Sequence, residues 1–313
     1  MKRMVLSLIL TMISVMINSQ TKTLAEKLGF DRDAKLLIIH ADDAGVSNST
    51  NRAVMEAFEK GWINSTSIIV PASWFPEMVN YAMDHPEFDY GLHLAFTSEW
   101  HTCKWSGIAC MDEIQSLLDK TGYFFATTGE AVKHGNPQEV ETEMQAQIEK
   151  ALAMGMKPSH LDSHMNTHFG TPELFRIYLK LGEKYRIPLL IPENYLAEND
   201  SLQIPELEKH IIINKLYEIG TEIPPSQWAA WYTEVLQNMQ PGVNELIFHL
   251  AYDDAETRSM TSGHEYYDAA WRQRDLDYAM SEEFRKFLKD NDIQLITWKD
   301  IQKVIYPQIT LID

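Results

Sequence analysis

Short apolar runs separated by amphipathic segments set the pattern of this chain. The first run, residues 36–39 (Leu-Leu-Ile-Ile), is continuous rather than alternating, which is typical of a strand covered on both faces. Similar runs recur along the rest of the chain. Together they predict strands at 36–41, 65–70, 88–96, 160–164, 188–191, 245–250 and 293–298.

Between these runs, apolar residues fall at helical spacing, and glycine or proline often marks the end of the segment. Val54, Met55 and Phe58, for example, share one face of a predicted helix that stops at Gly61. Residues 195–224 show only a weak pattern. The predicted helices lie at 51–60, 75–83, 139–154, 172–185, 228–239, 268–290 and 300–305.

Strand and helix alternate about seven times without a linker, a repeat or a change of composition, as in a parallel sheet with helices outside it. Chemically active residues stand at the carboxyl ends of several strands, and in a barrel these ends meet on one rim. We therefore predict an α/β fold: a distorted (β/α) barrel, seven-stranded, forming a single domain over 20–313. An irregular insertion at about 97–135 interrupts it.

Composition and charge limit the partners. The chain has 313 residues, of which 45% are hydrophobic and 23% charged, and this is enough for a sizeable core. Its formal net charge of −18, with no local run of Lys and Arg, argues against a nucleic acid as partner. The sequence gives no indication of an oligomeric state.

The amino terminus has the pattern of an export signal. Lys2 and Arg3 precede an almost wholly apolar stretch at 4–17, which is followed by a polar exit. The stretch is short for a helix that crosses a bilayer, which needs ~20 residues. We predict that 1–19 are a signal peptide and that the protein is periplasmic or extracellular, with no membrane span after cleavage. An uncleaved anchor is the alternative, because no Ala-x-Ala site is present.

Two cysteines, Cys103 and Cys110, lie in the insertion. In an oxidising compartment they would be able to form a local disulfide, and two free thiols are an equal alternative because spacing does not define geometry. They do not form a C-x-x-C pair, so a redox or structural zinc role is not expected.

Two adjacent carboxylates, Asp42 and Asp43, follow the first strand and precede Gly45. Like charges side by side are unfavourable unless a cation or proton donors neutralise them. Neighbouring strand residues point to opposite faces, so these two can act separately at one site only where the strand ends and twists. A divalent metal is the expected partner, and the alternative is that Asp43 merely caps the next helix.

Histidines at later strand ends complete a candidate metal set. His93 lies near the end of the strand at 88–96, and Asp162 and His164 share one face of the strand at 160–164. We predict that Asp43, His93 and His164 bind one divalent metal ion, zinc or magnesium, while the Asp162 carboxylate orients an imidazole.

A metal held by such a set would activate water and polarise a carbonyl, which is hydrolytic chemistry. Asp42 would then be free to act as a general base, and His249, at the end of the strand at 245–250, would protonate the leaving group. The alternative for His249 is a buried histidine bonded to Asp253 or Asp254.

Three motifs in this order resemble the YdjC-like carbohydrate deacetylase family, the chitooligosaccharide deacetylase group. The matching positions are Ala41, Asp42, Asp43, Gly45, Ser47, Asn51, Gly61 and 65–67, then Gly91 and His93, then Pro158 and 160–164. The resemblance covers 36–185 and, more loosely, 243–300. It implies a distorted (β/α) barrel that removes N-acetyl groups from amino sugars or oligosaccharides with one divalent metal. By the same resemblance Asp43, His93 and His164 are its ligands, Asp42 the base and His249 the acid.

The chain also departs from the family pattern. It has His40 where the family usually has Asn and Ala44 where it has Phe, and Leu250 rather than Pro follows His249. An arginine usual near the end of 188–191 is absent. These changes leave the metal set intact and concern substrate contacts and the acid.

Aromatic residues would cover the apolar faces of sugar rings. Trp100 and Trp105, in the insertion after His93, are the candidates, whereas Trp228 and Trp231 have the spacing of helix packing. His168 lies past the strand at 160–164, where it either lines the mouth of the site or is solvated.

Two other functions compete with deacetylation. A metal-dependent phosphoesterase would use the same rim, but no Arg or Lys cluster accompanies the motifs to hold a phosphate. A glycan-binding barrel without catalysis would not need the set of Asp42, Asp43, His93 and His164 to be intact.

Overall fold

A computed structural model describes residues 22–307, in which seven parallel strands form one sheet. The predicted signal peptide at 1–19 lies outside the described residues. Among those residues, no helix combines the length and the apolar character needed to cross a membrane. The strands are β1 (Lys35–Ala44), β2 (Ser65–Ile68), β3 (Tyr90–Leu94), β4 (Leu161–Ser163), β5 (Lys215–Tyr217), β6 (Gly242–Phe248) and β7 (Gln294–Leu295).

The sheet is built around β1, in the order β4-β3-β2-β1-β6-β5, with β7 also paired to β1. Every residue of β1 after Lys35 is buried, as its apolar run predicts. One side of β1 pairs with β6 along most of its length. The start of β1 also pairs with β7 and its end with β2, and Asn64 fills the gap between them by accepting from Ile39 N and donating to Ile296 O.

The sheet curls so that backbone hydrogen bonds continue beyond its two edge strands. Leu161 of β4 donates to Pro188 O at 2.8 Å, and Ile213, just before β5, donates to Ile191 O at 3.0 Å. The segment predicted as a strand at 188–191 therefore makes isolated bridges rather than a regular strand. The prediction of an α/β, distorted barrel with seven strands is confirmed.

Helices surround the sheet. The predicted helix at 268–290 is in fact two helices, because Ser281 caps the second one by accepting from Phe284 N. The described α-helices are α1 (Leu24–Lys27), α2 (Asn48–Glu59), α3 (Phe75–Asp84), α4 (Thr128–His134), α5 (Pro137–Ala153), α6 (Pro172–Tyr185), α7 (Glu193–Glu198), α8 (Trp228–Gln237), α9 (Ala255–Met260), α10 (Ala269–Ala279), α11 (Glu282–Asp290) and α12 (Trp298–Ile305).

The insertion at 97–135 packs against α5 rather than standing apart from the barrel. It contains short 3-10 turns at Met111–Glu113 and Gln115–Leu117, followed by α4. The buried Glu143 carboxylate of α5 accepts from the amides of Ile108 and Ala109 at 2.9 Å, which fixes the insertion near the end of β3. Cys103 and Cys110 are free thiols.

The turn that ends β1 requires a glycine at position 45, and this requirement can be tested by substitution. Its φ is +91°, and an added Cβ would lie 3.1 Å from the Ile68 side chain and 3.2 Å from Ile69 O. Gly29 has a similar φ of +92° with open space around it, so Gly29→Ala measures backbone strain alone. We expect Gly45→Ala to lower the free energy of unfolding by about 1–3 kcal/mol more than Gly29→Ala in urea titrations, because it adds overpacking to strain. Equal losses would show that the turn yields easily.

Candidate metal centre

The end of β1 departs from regular strand geometry at the two adjacent carboxylates. The register with β2 shifts between Ala41 and Ala44, and Asp43 has a φ of +65°, in the left-handed region. This conformation is unfavourable for a non-glycine residue and is found where surrounding contacts enforce it. Here Asn51 of α2 accepts from Gly45 N at 2.7 Å. The irregular backbone lets Asp42 and Asp43 both line the same cavity.

Two histidines from separate strand ends converge beside Asp43. Asp43 Oδ1 lies 3.6 Å from His93 Nε2 and 3.5 Å from His164 Nδ1. The three atoms lie within 4.8 Å of one another, and all three residues are buried. Asp43 Oδ1 has no hydrogen-bond partner among the described residues. A buried, unpartnered carboxylate oxygen between two imidazole nitrogens fits a divalent cation, and two histidines with one carboxylate are a donor set used by zinc.

His93 is oriented by a carboxylate on the neighbouring strand. His93 is paired in register with Asp162 of β4, and its Nδ1 lies 2.6 Å from Asp162 Oδ1. In the neutral ring with its proton on Nδ1, the form that binds a metal, the Nε2 lone pair faces Asp43. Burial lowers the pKa of His93, but Asp162 and Asp42 outweigh it and raise the pKa to about 10. The surroundings of this ring therefore favour a positive charge.

His164 follows β4 directly, at the start of an unusual turn. Met165 and Asn166, the next two residues, have φ values of +51° and +55°. The ring presents Nδ1 to Asp43, while its Nε2 lies 3.0 Å from Glu99 Oε2 in the insertion. Glu99 thus orients His164 as Asp162 orients His93.

Arg272 of α10 holds the second oxygen of Asp43. Its Nη2 donates to Asp43 Oδ2 at 2.7 Å, its Nε donates to Tyr267 O, and its guanidinium lies 5.3 Å from the centre of the Trp100 ring. Burial raises the pKa of Asp43, but Arg272 and then His249 hold it well below its usual range. Because Oδ2 is engaged, Oδ1 is the oxygen left for a metal.

Asp42 and His249 face each other at the same rim. His249 Nε2 lies 3.9 Å from Asp42 Oδ2, and Asp42 Oδ1 accepts from Ser67 Oγ at 3.2 Å. The amide of His249 donates to Asp275 Oδ2 at 2.9 Å, which holds the end of β6 in place. The Asp253 carboxylate instead pairs with Arg258.

A cavity of about 540 Å³ opens above these groups. Its polar floor is the carboxylates and imidazoles described above, and part of its wall is aromatic. The lining includes Asp42, Asp43, His93, Asp162, His164, His249, Glu99, Glu218, Glu265, Arg272, Trp100, Phe169, Tyr195, Tyr266 and Tyr267.

Trp100, Trp105 and His168, the residues predicted near the substrate, differ in whether they line the cavity. Trp100 lines the cavity, but the residue is only 2% exposed and packs edge-on against His264. Trp105 is buried in the insertion, where its Nε1 donates to Thr97 O at 2.8 Å. His168 is fully buried between Phe96 and Tyr178, and burial lowers its pKa to about 3. Neither Trp105 nor His168 lines the cavity.

Sequence reasoning did not find Arg272, Glu99 or Glu218. Arg272 is part of a helical segment in which its spacing is that of an ordinary polar residue, and Glu218 falls in the weakly patterned stretch. The only available signal was for Glu99, which lies close after His93 in an insertion expected to be functional.

The Arg272–Asp43 pair can be tested by stability. Arg272→Met leaves the Asp43 carboxylate buried without its partner, so we expect the free energy of unfolding of the chelator-treated protein to fall by about 3–5 kcal/mol. Arg258→Met is the matched control, since it breaks an exposed pair with Asp253 and is expected to cost under about 1 kcal/mol. Added Zn²⁺ should recover more stability in Arg272→Met than in the control. Similar losses in both variants would contradict this role of Arg272.

Comparisons with known proteins identify the family of this chain. The YdjC-like protein family matches residues 36–290. A carbohydrate deacetylase of Brevibacillus brevis is 28% identical over 266 residues, covering 85% of this chain and 99% of its own. A carbohydrate deacetylase of Thermus thermophilus is 28% identical over 290 residues, covering 90% and 99%.

A solved structure also has a fold similar to that of this chain. The crystal structure of an Enterococcus faecalis protein, provisionally described as a cellobiose-phosphate cleavage protein, superposes with a TM-score of 0.72 and 25% identity. The match covers 86% of this chain and 99% of that one. The family match contains the carboxyl ends of β1 to β6 and stops just before β7. This chain therefore belongs to the YdjC-like protein family.

Proposed function

We propose that this protein is a metal-dependent carbohydrate deacetylase, which hydrolyses the N-acetyl groups of amino sugars or oligosaccharides. The observation that carries the proposal is the meeting of Asp43, His93 and His164 within 4.8 Å, with the Asp42 carboxylate beside them. Relatives called carbohydrate deacetylases, aligned over nearly their whole length, support the same reading.

Asp43 Oδ1, His93 Nε2 and His164 Nδ1 would hold the metal. A divalent cation bound there supplies Lewis acidity toward a water molecule and toward the acyl carbonyl oxygen. Asp162 and Glu99 keep the two imidazoles in the orientation that this requires. Zinc and magnesium are the candidate ions.

Asp42 takes the proton from the attacking water. Ser67 donates to its Oδ1 and His40 Nε2 lies 3.1 Å from the same oxygen, so Oδ2 is the oxygen that faces His249. Burial lowers the pKa of His249 to about 4, so this ring is neutral before the reaction. It receives the proton by way of Asp42 and delivers it to the amine nitrogen as the C–N bond breaks and acetate leaves.

The cavity suits a sugar substrate. Its volume of about 540 Å³ lies within the usual range for small-molecule sites. Phe169, Tyr195 and Tyr266 line its wall and would cover the apolar faces of sugar rings.

Export is a further part of the proposal, supported by Lys2, Arg3 and the apolar stretch at 4–17. Cell fractionation with mass spectrometry of the mature amino terminus tests it. Cytoplasmic, full-length protein would contradict it.

The proposed base can be separated from the metal set by substitution. We expect Asp42→Asn to retain one equivalent of bound metal but to lose acetate release from N-acetylated chitooligosaccharides by about 10²–10⁴-fold in kcat, because the proton acceptor is gone. Metal content is measured by elemental analysis and acetate by an enzyme-coupled assay.

Asp43→Asn is the companion variant, and it should lose bound metal as well as activity. Chelation of the wild-type protein should abolish acetate release, and re-addition of Zn²⁺ or Mg²⁺ should restore it. Undiminished turnover in Asp42→Asn would remove Asp42 from the mechanism, and release of phosphate but not acetate would favour the phosphoesterase.

A further inference from the structure

The charge around the cavity is strongly one-sided. Glu99, Glu218 and Glu265 line it in addition to the carboxylates of the metal centre. Among the described residues, Arg272 is the single Lys or Arg side chain in the lining, and it is 1% exposed with its Nη2 bound to Asp43. The cavity therefore exposes no guanidinium or ammonium group to a ligand, since Arg272 Nη1, which has no hydrogen-bond partner among the described residues, is buried as well.

The carboxylates stand both deep in the cavity and at its mouth. Glu218 accepts from Tyr267 Oη at 3.0 Å, and the Tyr267 ring meets His249 edge-on with ring centres 4.9 Å apart. Glu265 is exposed at the mouth. Burial, followed by the charge of Asp42, raises the pKa of Glu218 to about 7, so this group is only partly ionised at neutral pH. Glu265 is therefore the better position for a charge-changing variant.

A divalent metal does not reverse this balance. Asp42 and Asp162 offset its two charges, and Asp43 is paired with Arg272. The His40 ring contacts the same two carboxylates from below but is fully buried, so it presents no charge to a ligand. Glu99 and Glu265 remain, on a chain whose formal net charge is −18. A cleft lined by one sign of charge concentrates ligands of the opposite sign and disfavours those of the same sign.

We propose that the cavity selects N-acetylated glycans that carry no anionic group, and that it discriminates against phosphorylated or sulfated ones. The inference rests on the proposed function and names the charge class of its substrate. Recognition of a sugar phosphate normally uses Arg or Lys side chains, and the described lining exposes none of them. The solved Enterococcus faecalis relative is provisionally described as a protein that cleaves a phosphorylated disaccharide, cellobiose phosphate. The cavity of this chain does not suit a ligand of that charge.

The test compares N,N′-diacetylchitobiose with its 6-phosphate on the metal-loaded protein. Two quantities are measured at low ionic strength: kcat/KM for acetate release, and Kd by calorimetry. We expect the phosphorylated sugar to be at least about 10-fold poorer in both, and the gap to shrink at high salt because screening weakens repulsion. Glu265→Lys should narrow the gap by about 3-fold or more. Glu283→Lys, an exposed carboxylate on α11 outside the lining, is the matched control and should leave the gap unchanged.

The outcomes separate this inference from the function itself. Equal or tighter binding and faster turnover of the 6-phosphate would overturn it, as would the failure of both sugars to bind. Preferential binding of the neutral disaccharide without acetate release from either sugar would support the charge selection and refute the deacetylase.

Discussion

Four carboxylates, those of Asp42, Asp43, Asp162 and Glu245, are buried in one polar network, and neutralising their charge is the constraint on which the rest of the site depends. Removing an ion from water costs several kcal/mol unless a partner compensates for it. Arg272 compensates Asp43 and the His93 ring compensates Asp162. A cation held at Asp43, His93 and His164, as proposed, would thus contribute to the charge balance of the core as well as to reactivity.

His40 is the centre of the deeper part of this network. Its Nε2 lies 3.1 Å from Asp42 Oδ1 and 3.4 Å from Asp162 Oδ2, and its Nδ1 lies 3.7 Å from Glu245 Oε1. Burial lowers the pKa of His40, but Glu245, Asp162 and Asp42 raise it well above its usual value. The asparagine that is usual at this position in the family pattern would provide a neutral amide instead. In this chain the surroundings of the histidine favour a positive charge beneath Asp42.

The features that could be predicted from the sequence are those that depend on the pattern of neighbouring residues along the chain. Burial of a strand on both faces leaves a continuous apolar run, so β1 and its neighbours were visible, and a histidine at the end of such a run necessarily lies at the rim. The two helices at 268–290 were not separable, since the apolar pattern continues across the Ser281 cap. The position of Trp105 was also inaccessible, because an indole packed inside an insertion and one on a cavity wall have the same sequence context.

α10 joins the two ends of the chain at this rim. Arg272 on this helix binds Asp43, 229 residues earlier, and Asp275 one turn later accepts from the His249 amide and from the Trp228 and Tyr232 side chains. Contacts of such long sequence separation close late in folding. A growing chain contains Asp43, His93 and His164, the candidate metal ligands, before it contains the arginine that fixes the carboxylate. The Asp43 carboxylate therefore acquires the contact that fixes it only after α10 has been made and has packed against the end of β1.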